Sequence, residues 1–565
     1  MSNKFVFKLL SLILVIVVIT SGLFACFDDS DISGITTVDG GLGTSSTTKN
    51  PNIIRPANTT TSTTTTTTNG GAGTTNGGAG TTNGDTTSSG GSSTPADDHL
   101  DIDNNGFCDE CGIDVVETID FYNFNDLHGK FEHVYSTDAA YGVQKLTTYI
   151  ENQREIDDNL VLLSSGDMWQ GGSASNETKG TIITDWMNYL EFDAMTLGNH
   201  EFDWGQDAIK TNVALAEFPI LAINIYDNAT GQRVDYCQPS VMVDCGGAKV
   251  GIIGAIGDCY SSISSDKTQG INFKVGSQLT ALVKAESTRL REAGADIIIY
   301  LIHDGATNEN SPNVTDYYDL TLSSGRYVDV VFGGHTHKNY IDTFDMYGIP
   351  HIQGGGDNQT GMTHIEVDVN FANGQITLNT RNYIAHSQCS NLKDAEIIED
   401  LLDDYNEEIG WIYKDLGYNA SYRNSSTISS TVAKLYYEAG VEKWGDEYNI
   451  VLAGGSINTR YPYKVLKGQV QYADLLMVVP FDNPLYLCKI KGSDLKSKFL
   501  NNSSYTKYST ITASQVQDSQ YYYIVADSWT ALYAWAKCTP IELYDNTTYA
   551  RDLLAEYIKS GGWSK

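Results

Sequence analysis

Five times along this chain, a short apolar run rich in β-branched residues ends in glycine beside Asp, Asn or His. Runs at 116–124, 160–164, 194–197, 250–256, 297–302 and 328–332 read as strands, and segments such as 281–293 between them show helical spacing. Alternation of this kind predicts an α/β sheet core. After the first run comes Asn125-Asp126-Leu127-His128-Gly129, and after the second Ser165-Gly166-Asp167. The third leads into Gly198-Asn199-His200-Glu201-Phe202-Asp203, a later one into His303-Asp304-Gly305, and the last into Gly333-Gly334-His335-Thr336-His337. The carboxyl ends of strands are where sites assemble in open α/β sheets. Glycines there let the backbone turn tightly enough for polar side chains to converge.

Each cluster alone has a bland reading. A Gly-Asp pair is an ordinary turn, and a lone histidine is more often packed than functional. Together they resist that reading, because five of the ten histidines fall in these clusters and structural turns have no preference for His. Asp and Asn oxygens with imidazole nitrogens suit Zn, Mn, Fe or Co better than Ca or Mg. The donors outnumber the needs of one ion, so a shared Asp bridging two is expected. Two such ions clamp an in-line displacement at phosphorus and lower the pKa of bound water toward about 7. The expected reaction is phosphoester hydrolysis.

The ordered set NDLHG, GD, GNHEFD, HDG and GHTH resembles that of the metallophosphoesterase superfamily. Its first and third forms look like the bacterial 5′-nucleotidase / UDP-sugar hydrolase / 2′,3′-cyclic phosphodiesterase family. The resemblance covers most of residues 117–565. It implies a four-layer α-β-β-α sandwich followed by a smaller α/β domain. By the same resemblance Asp126, His128, Asp167 and His337 would hold one metal. Asp167, Asn199, His303 and His335 would hold the other, with Asp167 bridging. His200 and Asp203 match the family's catalytic His–Asp dyad, in which an imidazolium held by a carboxylate stabilises phosphoryl charge or protonates the leaving oxygen.

The rest of the chain divides around this region. The expected order is a lipoprotein signal at 1–26, a tether at 27–98, a small acidic element at 99–114, and a catalytic domain at 115–390. A linker helix at 391–418 and a second α/β domain at 419–565 follow. In the second domain the strand at 448–453 runs into Gly454-Gly455-Ser456-Ile457-Asn458, and Val478-Val479 run into Pro480-Phe481-Asp482-Asn483. Both resemble motifs of the 5′-nucleotidase C-terminal domain, GG-x-I-R and PFGN. The family's substrate-binding Arg falls on Asn458, with Arg460 two residues on, and its late Gly-Gly-Asp-Gly segment is absent. Phe481, Asn483, Arg423, Arg460 and Trp529 are the substrate-binding candidates; core packing is the alternative for the two aromatics.

Lys4 and Lys8 precede an apolar run from Leu9 to about residue 19, too short for a comfortable membrane span. Leu23-Phe24-Ala25-Cys26 resembles a bacterial lipoprotein signal, with Cys26 as the lipidated residue, and implies a membrane-anchored protein on the outer side of the cytoplasmic membrane. The Thr, Gly, Ser and Asn that follow cannot bury a core and read as a flexible tether, with a reach of roughly 45 Å. In the acidic element, Asp101, Asp103, Asn105 and Asp109 occupy alternate positions of a calcium-type loop, but Gly112 stands where the bidentate Glu belongs. Cys108 and Cys111 with His99 could instead hold zinc or form a local disulfide. A disulfide between Cys237 and Cys245 is a further expectation for an exported chain.

The net charge is −34. It excludes polymeric nucleic acid as a partner, since that affinity comes from cations neutralising phosphates. It does not exclude a small phosphate ester, because two divalent cations reverse the local sign. The expected activity is release of phosphate from nucleotides or related phosphoesters. The alternatives are a cyclic phosphodiesterase, a UDP-sugar hydrolase or another ester hydrolase, and a surface binding protein that keeps the fold.

Overall fold

The computed structural model describes residues 99–133, 142–157, 159–305, 326–340, 349–355, 360–457, 459–460, 464–532 and 536–564. Cys26 and the tether lie outside them, as does Asn458. Up to residue 385 the strands are β1 (Val116–Phe124), β2 (Leu160–Ser164), β3 (Ala194–Thr196), β4 (Ile220–Leu221), β5 (Ile225–Asp227), β6 (Ser240–Cys245) and β7 (Ala248–Ile256). They continue with β8 (Ile271–Phe273), β9 (Ile297–His303), β10 (Val330–Gly333), β11 (His351–Ile352), β12 (Gly361–Asn370) and β13 (Gln375–Ala385).

One sheet runs β13-β12-β1-β2-β3-β4 and a second runs β11-β10-β9-β7-β6. Strand alternation sends successive side chains to opposite faces. Ile119, Phe121, Val161 and Leu163 of the first sheet therefore meet Val250, Ile252, Ile297, Ile299, Val330 and Phe332 of the second in one buried core. Each fully buried Val, Ile or Phe there contributes on the order of 2 kcal/mol. Outer-face residues Tyr122, Phe124, Leu160 and Leu162 pack under α1 (Gln144–Arg154) and α3 (Thr181–Tyr189), with α2 (Ser173–Glu177) between those two helices in the chain. On the far side Ile298, Tyr300 and Ile302 pack under α4 (Ser277–Glu292). The result is the four-layer α-β-β-α sandwich expected from the motif set.

Parallel pairing sets the site. Phe124 is in register with Ser164, Ser164 with Met195, Ile256 with His303, and Ile302 with Gly333. The carboxyl ends of β1, β2 and β3 consequently lie level in one sheet, and those of β7, β9 and β10 in the other.

Helix α5 (Glu396–Asp404) then leads to a second α/β unit. Its strands are β14 (Asp415–Asn419), β15 (Ile450–Gly455), β16 (Gly468–Gln471), β17 (Leu485–Lys491), β18 (Thr506–Ser509), β19 (Tyr521–Asp527) and β20 (Cys538–Leu543). The larger sheet runs β18-β15-β19-β17-β20, covered by α6 (Ser425–Trp444). The segment before Phe481 is not extended: α7 (Tyr472–Val478) ends there, buried along its whole length. Cys237 and Cys245 do not pair. Neither is in a disulfide, and they pack into different cores with extended β6 between them. Among the described residues no helix is long and apolar enough to cross a membrane.

Candidate active site

The chain turns sharply after each of these strands, and the expected ligands themselves take the strained conformations. Asp126, His128, Asp167, His335 and His337 all have positive φ, at 51°, 51°, 55°, 132° and 54°. Non-glycine residues rarely adopt this region, and such strain clusters where function demands it. The neighbouring glycines serve a different need here, that of close approach. A Cβ at Gly198 would collide with the Asp167 carboxylate, and one at Gly334 would lie 2.7 Å from His303 Nδ1.

The turns bring seven expected ligands together. Asp126, His128 and His337 form one group of converging donor atoms, and Asp126, Asp167 and His303 another. His128 Nε2 lies 2.9 Å from His337 Nε2, and His337 Nε2 lies 3.3 Å from Asp126 Oδ1. One oxygen, Asp167 Oδ2, faces both halves, 3.0 Å from His303 Nε2 and 3.9 Å from His128 Nε2. The His335 ring stands 5.5 Å from that of His303. The other ring nitrogens are already engaged: His128 Nδ1 donates to Gln170 O at 3.0 Å and His303 Nδ1 to Ser165 O at 2.7 Å. These bonds select the tautomer that leaves Nε2 as the ligand atom.

Four buried atoms of this set, Asp126 Oδ1, Asp167 Oδ2, Asn199 Oδ1 and His303 Nε2, make no well-formed hydrogen bond and, where they meet a polar atom, meet another of the expected ligands. Stranding a buried polar atom costs about 1–3 kcal/mol. Four in one place, all carboxylate or amide oxygens or imidazole nitrogens, are what divalent transition metals require. The residues present therefore fit two metals. The electrostatics agree. Burial opposes ionisation of Asp167, but the His303 and His200 rings beside it hold its carboxyl well below the usual carboxylate range. Burial likewise opposes charging of His303, and Asp167 overcomes it, pushing His303 up to about 10 when no metal is bound; a cation at Nε2 would displace that proton.

His200 stands beside this group, its ring centroid 5.2 Å from that of His128. Its Nδ1 lies 2.9 Å from Asp203 Oδ2, and its backbone N–H donates to Asp167 Oδ1 at 2.8 Å. The second unit closes the site from the other side. The Arg460 guanidinium sits 5.3 Å from the Phe481 ring centre and donates to Gln170 Oε1, while Phe481 lies 6.4 Å from the His200 ring. The units are joined next to the site by Ser173 Oγ donating to Ala473 O at 2.9 Å and Asn176 Nδ2 to Leu476 O at 3.3 Å.

Residues 119–339 match the calcineurin-like phosphoesterase family and residues 409–531 match the 5′-nucleotidase C-terminal domain. The chain is a calcineurin-like phosphoesterase of the 5′-nucleotidase family. It is 26% identical to protein UshA of Yersinia enterocolitica over 459 residues, 72% of this chain and 78% of that one. The human 5′-nucleotidase is 26% identical over 427 residues, covering 66% and 70%. An apyrase of Tabanus yao is 32% identical over 225 residues, 38% of each chain. Among solved structures, a 5′-nucleotidase precursor from Thermus thermophilus superposes with a TM-score of 0.61 at 17% identity, covering 79% of this chain and 96% of its own. This phosphoesterase is a metal-dependent hydrolase of phosphoric esters.

Arg423 and Asn483 make side-chain contacts within the second unit. Arg423 is held inside the second unit, its Nε donating to Asn419 Oδ1 at 3.1 Å and its guanidinium 5.5 Å from the Trp563 ring. Asn483 accepts from Ser528 Oγ at 3.4 Å, and Trp529 is half-buried on α8 (Ser528–Leu532). Two residues absent from the expected set reach the site. Asn125 fixes Asp126, donating to its Oδ2 at 2.7 Å, and Glu201 binds the turn that carries Asp167. Glu201 had a readable signal, an acidic side chain inside GNHEFD, but its partners are backbone amides that no motif displays.

Proposed function

We propose that this protein removes phosphate from nucleotides outside the cytoplasm, with the ester cleaved between its two α/β units. The observation that carries the reading is the convergence of Asp126, His128, Asp167, Asn199, His303, His335 and His337 beside the His200–Asp203 pair and under Arg460 and Phe481. Two divalent metals, when bound, supply Lewis-acid polarisation of the phosphoryl group and an acidified water. The remaining chemistry belongs to the chain. His200 is oriented by Asp203, which also favours its protonated form, so the ring can donate to a phosphoryl or leaving-group oxygen. Arg460 supplies a guanidinium at the mouth of the site, suited to phosphate or sugar oxygens. Phe481 offers a face on which any base can stack. The related nucleotidases support a nucleotide substrate. The apolar leader, Cys26 and the Thr/Gly tether support an exported, lipid-anchored position, with the domain held off the membrane.

The test is phosphate release from 5′-nucleotides, UDP-sugars and 2′,3′-cyclic nucleotides with Mn²⁺, Zn²⁺ and Co²⁺ supplied separately. Turnover of 5′-nucleotides, lost by a factor of about 10²–10⁴ in His200→Ala, is expected. Preference for one of the other ester classes would replace the substrate assignment, and full activity of His200→Ala would sink the mechanism.

A further inference from the structure

Just ahead of β1 the chain folds into a small hairpin of its own. Cys108 N–H donates to Ile113 O at 2.8 Å, Gly112 N–H donates to Cys108 O at 2.8 Å, and Phe107 bridges Asp114. Gly112 takes a φ of 71°, which lets the turn close directly after Cys111. The turn thus carries Cys108 and Cys111 at C-x-x-C spacing. His99 folds back onto it, placing Nδ1 3.5 Å from Cys111 Sγ, and its ring is set edge-on to Phe371 with centroids 6.4 Å apart. The ligand atoms of His99, Cys108 and Cys111 all lie within 4.8 Å of one another. Around a tetrahedral zinc, bonds of about 2.3 Å to sulfur and 2.0–2.1 Å to nitrogen place S and N about 3.5 Å apart. Cys111 and His99 already stand at that separation.

We propose that His99, Cys108 and Cys111 form a zinc site distinct from the catalytic pair, with water as the fourth ligand. Zinc takes both sulfurs as thiolates. Zinc binding displaces any proton remaining on the two sulfurs to solvent.

The carboxylates of the same element are engaged elsewhere. Asp101 Oδ1 accepts Asn105 N–H at 3.0 Å, and its Oδ2 accepts Gly106 N–H at 3.0 Å and Asn370 Nδ2 at 2.6 Å. Asp103 Oδ1 accepts Asn105 N–H at 3.2 Å, and Asp109 Oδ2 accepts Ile102 N–H at 2.7 Å. Two sulfurs and a nitrogen also select zinc over calcium. The Asp101–Asn370 bond, with Asn373 Nδ2 donating to Asp101 O at 3.2 Å, fastens the hairpin to the β12–β13 turn. A zinc held by the hairpin would therefore staple the segment that leads into the catalytic sheet.

The full chain, reduced and stripped of metal, is titrated with zinc alone and with cobalt alone. The wild type should retain one zinc per chain more than Cys108→Ser/Cys111→Ser, whatever number both hold elsewhere. Its cobalt form should show a thiolate-to-cobalt charge-transfer band that the double variant lacks. Unchanged phosphoester hydrolysis by the variant shows that it is folded. If the double variant does not fold, His99→Ala keeps both sulfurs and should bind the extra zinc at least tenfold more weakly. Equal zinc content with identical cobalt spectra would overturn the site. So would a Cys108–Cys111 disulfide in protein isolated without reductant, or calcium rather than zinc bound by the element.

Discussion

Glu201 binds the backbone of Asp167, its Oε2 accepting the Asp167 N–H at 2.9 Å. The same oxygen takes Gly198 N–H at 2.6 Å, and Oε1 takes Met168 N–H at 2.8 Å and Trp169 N–H at 3.2 Å. One buried carboxylate thereby fixes the two strand-end turns that carry Asp167 and Asn199. Glu201 is fully buried against these backbone amides, so its role is positional. Glu201→Gln places an N–H₂ against backbone donors and should weaken metal affinity about 10–100-fold. Metal titration followed by elemental analysis checks this. Unchanged metal affinity with only a lowered melting temperature would leave Glu201 a structural residue.

Removal of metal should be costly for stability as well as for activity. Asp126 and Asp167 are both buried and share the group of ligands around His303, so without cations only the neighbouring histidines offset their mutual repulsion. Chelation should abolish turnover and lower the melting temperature. Re-addition of metal at 100-fold its dissociation constant should restore about 2.7 kcal/mol. A melting curve indifferent to chelator would contradict this.

Arg460 and Phe481 should separate recognition of the nucleoside from chemistry. Both come from the second unit and face the site at its mouth. Phe481→Ala should raise KM for a nucleotide by about 5–150-fold, the worth of one stacked base at 1–3 kcal/mol. It should leave kcat/KM for a small aryl phosphate within about twofold. Equal losses on both substrates would assign Phe481 to packing.

Asp527 gives a pH test away from the metals. It is 3% exposed, and burial pushes it up to about 6 from 3.8 against hydrogen bonds from Thr530. Below pH 3.8 the group is protonated folded and unfolded, and its burial carries no ionisation penalty. Between pH 4 and 6 the unfolded chain releases the proton first, so stability falls by about 3 kcal/mol at 1.36 kcal/mol per unit. Asp527→Asn, still able to accept from Thr530 N–H at the helix start, should therefore stabilise the protein at pH 7.5 relative to its effect at pH 4. Denaturant melts of both proteins at the two pH values measure the difference.

Strand positions and turn clusters were legible in the sequence because neighbouring residues encode them. Short apolar runs at 116–124 and 160–164 suit a buried sheet, and Gly with Asp or His suits its ends. The metal chemistry was legible for the same reason, since donor types follow from residue types. What decided the site was register between distant strands. Asp126 accepts the His335 N–H at 3.1 Å across 209 positions of the chain, a distance no local pattern encodes. Tertiary packing also turned Arg460 toward Gln170, tied Arg423 to Asn419, and parted Cys237 from Cys245 by a strand. Local sequence selects turns and strands through short-range sterics and hydrogen bonding. Which side chains share one cation depends on how two sheets bury their faces against each other, and that is settled only when the whole core closes.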